Sequence, residues 1–228
     1  MTALLTDNLP LLAGAPNGIK KLRELILELA VRGKLVPQGP SDEPASELLK
    51  GIVEEKARLV AEGKIKKQKP LTEITESDHL FGLPVGWEWV RFNDVCTYIQ
   101  RGKGPAYVEH SDFAVVSQKC VRWTGLDLSP VRYVDPDAIQ KYEEIRFLCP
   151  GDILWNSTGT GTIGRACVVN EQALLKPLVV DSHVTIVRSI QIQPVFLWRW
   201  IQSPSVQLEI EGNASGTTNQ IELNTSTV

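Results

Sequence analysis

The chain has no Cys-x-x-Cys pair, no Pro-Pro step and only three histidines, and each shortage excludes a class of chemistry. Cys96, Cys120, Cys149 and Cys167 are widely separated, so neither a zinc site nor a dithiol redox site is expected, and the thiols are read as buried and reduced. His79, His110 and His183 are scattered in the same way and suggest no metal ligands. Without Pro-Pro there is no Asn-Pro-Pro-Tyr/Phe, the usual catalytic tetrapeptide of adenine amino-methyltransferases. No Ser-His-Asp or Cys-His arrangement can be singled out either. No apolar run approaches the roughly 20 residues that span a bilayer. Met1–Gly18 lacks a basic start and a continuous apolar block, so no signal peptide is read and a cytoplasmic location is expected.

A basic surplus is missing as well. Lys and Arg number 24 against 27 Asp and Glu, a net charge of −3. Residues 1–82 hold 12 basic and 12 acidic side chains, so residues 83–228, with 12 and 15, carry the whole deficit. Proteins that neutralise phosphates usually show the opposite balance, and charge alone does not point to nucleic acid. It permits DNA binding only where basic groups cluster on one face or a partner supplies the phosphate contacts.

What is present describes a folded protein: 43% hydrophobic and 22% charged residues over 228 positions, enough for one core with a smaller helical appendage. Residues 1–18 show no clear period and read as a flexible lead-in. From Ile19 to Val31, Leu22, Leu25, Ile26, Leu29 and Ala30 recur at helical spacing, with Asn17 as a cap and Gly33 just past the end. After the turn-rich Val36–Pro40, a second helix is expected to open at Ser41 or Asp42, with Pro44 in its first turn. Leu48, Leu49, Ile52, Val53, Leu59 and Val60 form its stripe, and Lys64–Lys69 closes it. Two such helices on a short loop predict an αα-hairpin that must pack on something else. From Leu83 onward the texture becomes short β-branched and aromatic runs. Strands are predicted at Trp87–Arg91, Phe113–Ser117, Asp152–Asn156, Arg165–Val169 and His183–Val187, and a helix at Pro194–Ser203.

Two motifs invite an enzymatic reading. Gly159-Thr-Gly-Thr-Ile-Gly164 matches the dinucleotide fingerprint, and Asp181 stands about 20 residues beyond it. The fingerprint needs a helix to start at the glycines, so that its N-terminus faces the pyrophosphate. Arg165–Val169 is strand material instead, which predicts a turn between two strands. Asp135-Pro136-Asp137 with Glu143-Glu144-Ile145-Arg146 faintly resembles the Pro-Asp…Glu-x-Lys constellation of metal-dependent nucleases, but the gap is short and Arg146 stands where a lysine belongs. A turn followed by one or two helical turns accounts for it.

A family resemblance emerges from motifs taken in order. Leu22–Leu35 and Pro44–Leu49 resemble the helical segment, and Leu83-Pro84-x-Gly86-Trp87-x-Trp89 the domain entry, of DNA specificity subunits of type I restriction–modification systems. Gly151–Leu154 with Ser157–Arg165 resembles the central hairpin, Asp181–Val184 the following strand, and Asn213–Gln220 the Gly/Ser/Thr loop near the end of a target-recognition domain. The likeness runs from Ile19 to Gln220.

The resemblance implies an α+β fold: an N-terminal helical hairpin, then a mixed domain around a twisted, mostly antiparallel sheet. Its divisions are a lead-in at 1–18, a helical segment and linker at 19–82, and a target-recognition domain at 83–228. It implies that this chain is not itself an enzyme and holds no cofactor or metal. Its partners would be double-stranded DNA, methyltransferase (modification) subunits carrying S-adenosylmethionine, and a motor-nuclease subunit using ATP and Mg, with no membrane. Such subunits carry two recognition domains, each reading half of a split target. One domain, without the Pro-Pro-Leu segment and long helix expected next, reads as a fragment or as a half-length subunit needing a second copy. The residue types suited to phosphates and base edges are Arg101, Lys103, Gln118, Lys119, Arg122, Ser157, Thr158, Thr160, Thr162 and Arg165, with the loop Thr217, Thr218, Asn219 and Gln220. The readings from other classes are a nucleotide-dependent enzyme built on Gly159–Gly164 and a helical protein–protein adaptor.

Overall fold

The computed structural model describes residues 9–69, 71–213, 215–217 and 220–222. Three helices come first: α1 (Leu9–Gly14), α2 (Gly18–Val31) and α3 (Ala45–Ala61). The stripe of α2 is where the spacing puts it. Asn17, however, sits in the left-handed region at φ 58° and makes no side-chain cap bond. The second helix starts later than Ser41 or Asp42. The Asp42 carboxylate accepts the Gly39 N–H at 2.9 Å and closes a turn of its own, Pro44 is extended, and the Ala45 N–H goes to the Gly86 carbonyl at 2.8 Å.

Both stripes are covered only in part: α2 packs on α6 (Pro194–Gln202) and α7 (Pro204–Asn213), and α3 packs on α4 (Phe92–Val95), while Leu25, Ile26 and Val53 remain exposed. Ile52 of α3 is fully buried beside Val95 and Cys96. Lys56, one turn on, donates to the carbonyls of Asn93 at 2.5 Å and Asp94 at 3.1 Å, satisfying acceptors left open at the end of α4.

Two four-stranded sheets form the body. The first has the order β1 (Cys96–Arg101), β10 (Val184–Ser189), β7 (Ile153–Asn156), β8 (Ala166–Val168), antiparallel throughout. The second has the order β2 (Tyr107–Val108), β6 (Arg132–Val134), β3 (Ala114–Val116), β9 (Leu178–Val180), antiparallel except for the parallel pair β3–β9. Two ribbons, β4 (Val121–Arg122) with β5 (Gly125–Leu126) and β11 (Ser215–Thr217) with β12 (Gln220–Glu222), complete the pairing.

Strand alternation explains the layering. Leu154 of β7 joins Val116, Val180 and Ile186 in a core between the sheets. Its neighbours Ile153 and Trp155 point the other way, into a second core with Ile52, Leu197, Ile201, Val206 and Ile210 from α3, α6 and α7. Every residue of β7 is therefore buried. The far face of the second sheet, Val115, Val134 and Val179, is covered by Ile139 of α5 (Pro136–Ile139) and by Tyr142 and Phe147.

Some expectations need correction. Trp87–Arg91 is not a strand: it pairs with no neighbour and uses its aromatic rings instead. Trp89 stacks on His79 at 5.6 Å and meets Trp200 of α6 edge-on, while the Trp87 indole donates to Gln38 at 2.9 Å. The four thiols are free, but Cys149 is exposed. Burial pushes the Cys96 and Cys167 thiols up to about 12, which leaves them unreactive. The Asp135–Arg146 stretch is a capped helical turn and a 3-10 turn, with Asp135 accepting the Asp137 N–H at 2.8 Å. Among the described residues no cluster of His, Cys, Asp and Glu could hold a metal, and no helix is long and apolar enough to cross a membrane.

Candidate nucleic-acid interface

Four connections meet at one end of the two sheets: Arg101–Gly104 after β1, Ser117–Cys120 after β3, the 157–165 turn between β7 and β8, and Asp181–His183 between β9 and β10. The strand directions bring them together, because β1, β3, β7 and β9 all finish there and β8 and β10 begin there.

Backbone bonds lock the meeting point. The Asp181 N–H goes to Val116 at 3.0 Å, the Ser157 N–H to His183 at 3.0 Å, and the Gly102 N–H to Val184 at 3.0 Å. Gly102 is there for closeness: a Cβ would lie 2.0 Å from the Val180 carbonyl oxygen. The Asp181 carboxylate accepts the His183 N–H at 2.9 Å, while burial pushes its own pKa up.

The glycine motif is a turn between antiparallel strands. Asn156 and Arg165 close it at 2.8 Å, Gly159, Gly161 and Gly164 hold φ of 104°, 73° and 81°, and no helix begins there. The requirement of the dinucleotide fingerprint is thus unmet, and the nucleotide-dependent enzyme loses its basis.

Several sequence candidates converge on this turn. Thr162 donates its hydroxyl to the Gln118 side-chain oxygen at 2.9 Å, and the Asn156 amide donates to the Gln118 carbonyl at 3.0 Å. Thr158 Oγ1 lies 2.7 Å from His183 Nδ1. Arg165 folds its guanidinium onto the Gly161 carbonyl at 2.6 Å, and Thr160 is exposed at the tip. Lys119 is exposed on the adjoining loop. Arg122, on the β4–β5 ribbon packed against β8, is exposed and 3.6 Å from Asp127. Hydrogen bonds from the Ser129 hydroxyl and N–H hold the Asp127 carboxyl below its ordinary range. Arg101 is half-buried at the end of β1, and Lys103 stands over the Tyr142 ring at 5.4 Å.

Ser157 does not belong with these surface groups. It is buried, and its hydroxyl is committed to Thr185, so it supports the strand pair instead of facing outward. Thr217 and Gln220 lie on the β11–β12 ribbon, while Thr218 and Asn219 fall outside the described residues. His183 was not among the sequence candidates. It is exposed, with Nδ1 held by Thr158, and the only sequence signal near it is the Asp181-Ser182-His183 motif. The surface therefore offers hydroxyls, an amide, an imidazole and guanidinium groups, a set able to donate to phosphates and to exchange hydrogen bonds with base edges.

No family model matches the chain. Two curated proteins from Escherichia coli share part of it closely. The type I restriction enzyme EcoEI specificity subunit is 69% identical over 80 residues, 35% of this chain and 14% of that protein. The EcoAI specificity subunit is 78% identical over 72 residues, 32% of this chain and 12% of that protein. These relatives are type I specificity subunits. The chain matches only a small fraction of their length. Two solved structures also align. One is a chain described under complex assembly and conformational transition of the type I R-M system, with TM-score 0.47 and 15% identity over 92% of this chain and 45% of that chain. The other, the HsdS subunit from Thermoanaerobacter tengcongensis, has TM-score 0.44 and 18% identity over 78% of this chain and 40% of that chain. The α+β class rests on the helices and sheets described above.

Proposed function

We propose that this chain is the DNA-reading part of a type I restriction–modification specificity subunit, recognising one half of a bipartite target. The observation that carries the reading is the 78% identity over 72 residues with a specificity subunit. The convergent polar loops supply a surface suited to the task. Residues 19–82 serve as the helical segment and linker and residues 83–228 as the recognition domain, led by residues 1–18.

The chemistry belongs to partners: methyltransferase subunits with S-adenosylmethionine, and a motor-nuclease subunit with ATP and Mg. A methyltransferase must take its adenine out of the stack, and the recognition module holds the duplex in register for that step. Two layers of buried strands behind the loops give those contacts a rigid base. The test is to exchange residues 83–228 for the corresponding domain of another specificity subunit, co-express with the modification subunit, and sequence the methylated sites. One half of the split target should change while the other stays. An unchanged target would refute the reading.

A further inference from the structure

The recognition loops lie in the part of the chain that carries a net charge of −3, whereas duplex DNA presents one phosphate charge per about 1.7 Å of axis. The reading above, on which this inference rests, therefore leaves only the few basic side chains around the loops to meet that charge. The most concentrated positive charge in the sequence is Lys64-Ile-Lys-Lys-Gln-Lys69, directly after α3.

Part of this run has a structural explanation. Helix α3 is closed just past its end by Gly63, φ 70°, with the Gly63 and Lys64 N–H groups on the Val60 and Leu59 carbonyls at 3.0 and 2.9 Å. Lys64, beside those last carbonyls and 2.8 Å from Glu62, suits the helix end. The remaining lysines have no such account. Two residues pin the strap: Ile65 is half-buried, and Gln68 accepts from Lys56 at 2.7 Å and donates to the Cys96 carbonyl at 3.4 Å. Lys66, Lys67 and Lys69 are exposed, and Lys67 and Lys69 make no ion pair among the described residues.

The strap also lies beside the loop end of the sheets. Lys66 Nζ is 4.0 Å from Glu143, and Glu143 is 3.3 Å from the Arg146 Nε. Arg146 in turn donates to the Arg101 carbonyl at 3.4 Å and reaches the Gln100 side chain at 3.5 Å. Arg101 and Lys103 begin the interface there. Lys66 to Lys69 spans up to about 10 Å of chain, comparable to the rise of roughly three base pairs.

We infer that Lys66, Lys67 and Lys69 form a phosphate-backbone clamp that extends the recognition loops along the duplex. It supplies affinity without sequence preference.

The test uses the full chain assembled with its modification subunit, and the triple variant Lys66→Gln, Lys67→Gln, Lys69→Gln. Affinity for a target duplex and a scrambled duplex is measured from 50 to 200 mM salt. Three lost contacts should make the slope of log affinity against log salt shallower by about 2.7, so that the wild type loses roughly 40-fold more affinity than the variant across that range. Both duplexes should be affected alike, the methylated sequence should not change, and the three-arginine variant should restore the slope. An unchanged slope overturns the clamp while leaving the recognition reading intact, provided the wild type still prefers its target. Loss of assembly with an unchanged slope overturns it in favour of an acidic protein surface as the occupant. Altered discrimination at one base position overturns the backbone assignment. A wild-type complex with no preference between the duplexes overturns the recognition reading, and the clamp with it.

Discussion

The Glu28 carboxylate of α2 caps the start of α7 from outside. It accepts the Ser205 backbone N–H at 3.2 Å and the Ser205 hydroxyl, while Arg32 grips the same carboxylate at 2.6 Å and donates to Ser205 Oγ at 3.0 Å. Helix N-termini leave N–H groups unpaired and favour negative charge, so a residue 177 positions away in sequence satisfies the start of α7. Burial works to raise the Glu28 pKa, but the bonds from Ser205 and Arg32 outweigh it and the pKa is lowered overall. A carboxylate with a lowered folded pKa contributes its stability above the ordinary glutamate range and loses it as pH falls through the folded value. Glu28→Gln should cost about 1–2 kcal/mol at pH 7, and its melting curve should converge with that of the wild type as the pH falls below the ordinary glutamate range and through the lowered folded pKa. Parallel loss across that pH series would argue against the cap.

The pair Asp152–Arg188 should be the costliest polar contact to break. Asp152 is fully buried, and Arg188 reaches it with two bonds, at 2.7 and 2.8 Å. Asp152→Ala should destabilise by roughly 2–4 kcal/mol, because it leaves a half-buried guanidinium without its counter-ion, held only by the Ile145 and Phe147 carbonyls. Adding Arg188→Met should recover part of the loss. Chemical denaturation of the single and double variants measures both effects.

No dinucleotide should bind the Gly159–Gly164 turn. Millimolar NAD or ATP should leave the melting temperature unchanged, since a ligand stabilises only by binding the native state. A dose-dependent rise would revive the nucleotide reading.

Basic residues around the loops should separate into two kinds. Lys103→Ala, Arg122→Ala and Arg165→Ala are each compared with wild type by salt titration and by profiling methylated sites. A phosphate contact lowers affinity on all sequences and reduces the salt slope by about one; a base contact relaxes one position at a cost of roughly 1–3 kcal/mol. Three silent variants would place the DNA-facing surface elsewhere.

Leu25 and Ile26 on α2 remain 42% and 40% exposed after α2 has packed on α6 and α7. Leu25→Asp with Leu29→Asp should therefore weaken co-purification with the methyltransferase subunit more than it shifts the melting of the β body. Full retention on the affinity resin would exclude this face from assembly.

Local pattern was enough for several elements. The stripe from Leu22 to Ala30, the Phe196–Ile201 helix and the turn at Gly159–Gly164 were legible because period 3.6, period 2 and a cluster of turn-forming glycines are properties of neighbouring residues. The same patterning misjudged Trp87–Arg91, whose extended backbone is held by rings on His79 and Trp200 and not by a ladder. It also misjudged Ser157, a hydroxyl like its neighbour Thr158 but on the inward side of the strand end, against Thr185.

The sequence by itself determined the α+β order, the helix stripes, the turn and the residue types suited to DNA, because each follows from short-range spacing and side-chain chemistry. Only the tertiary structure decided which of them meet. Gln118 reaches Thr162 across 44 residues, Thr158 reaches His183 across 25, and Asp152 reaches Arg188 across 36. Those distances close because β3 pairs with β9 and β10 inserts between β1 and β7, and such long-range strand pairing is set by burial of the whole core, which no local window of sequence contains.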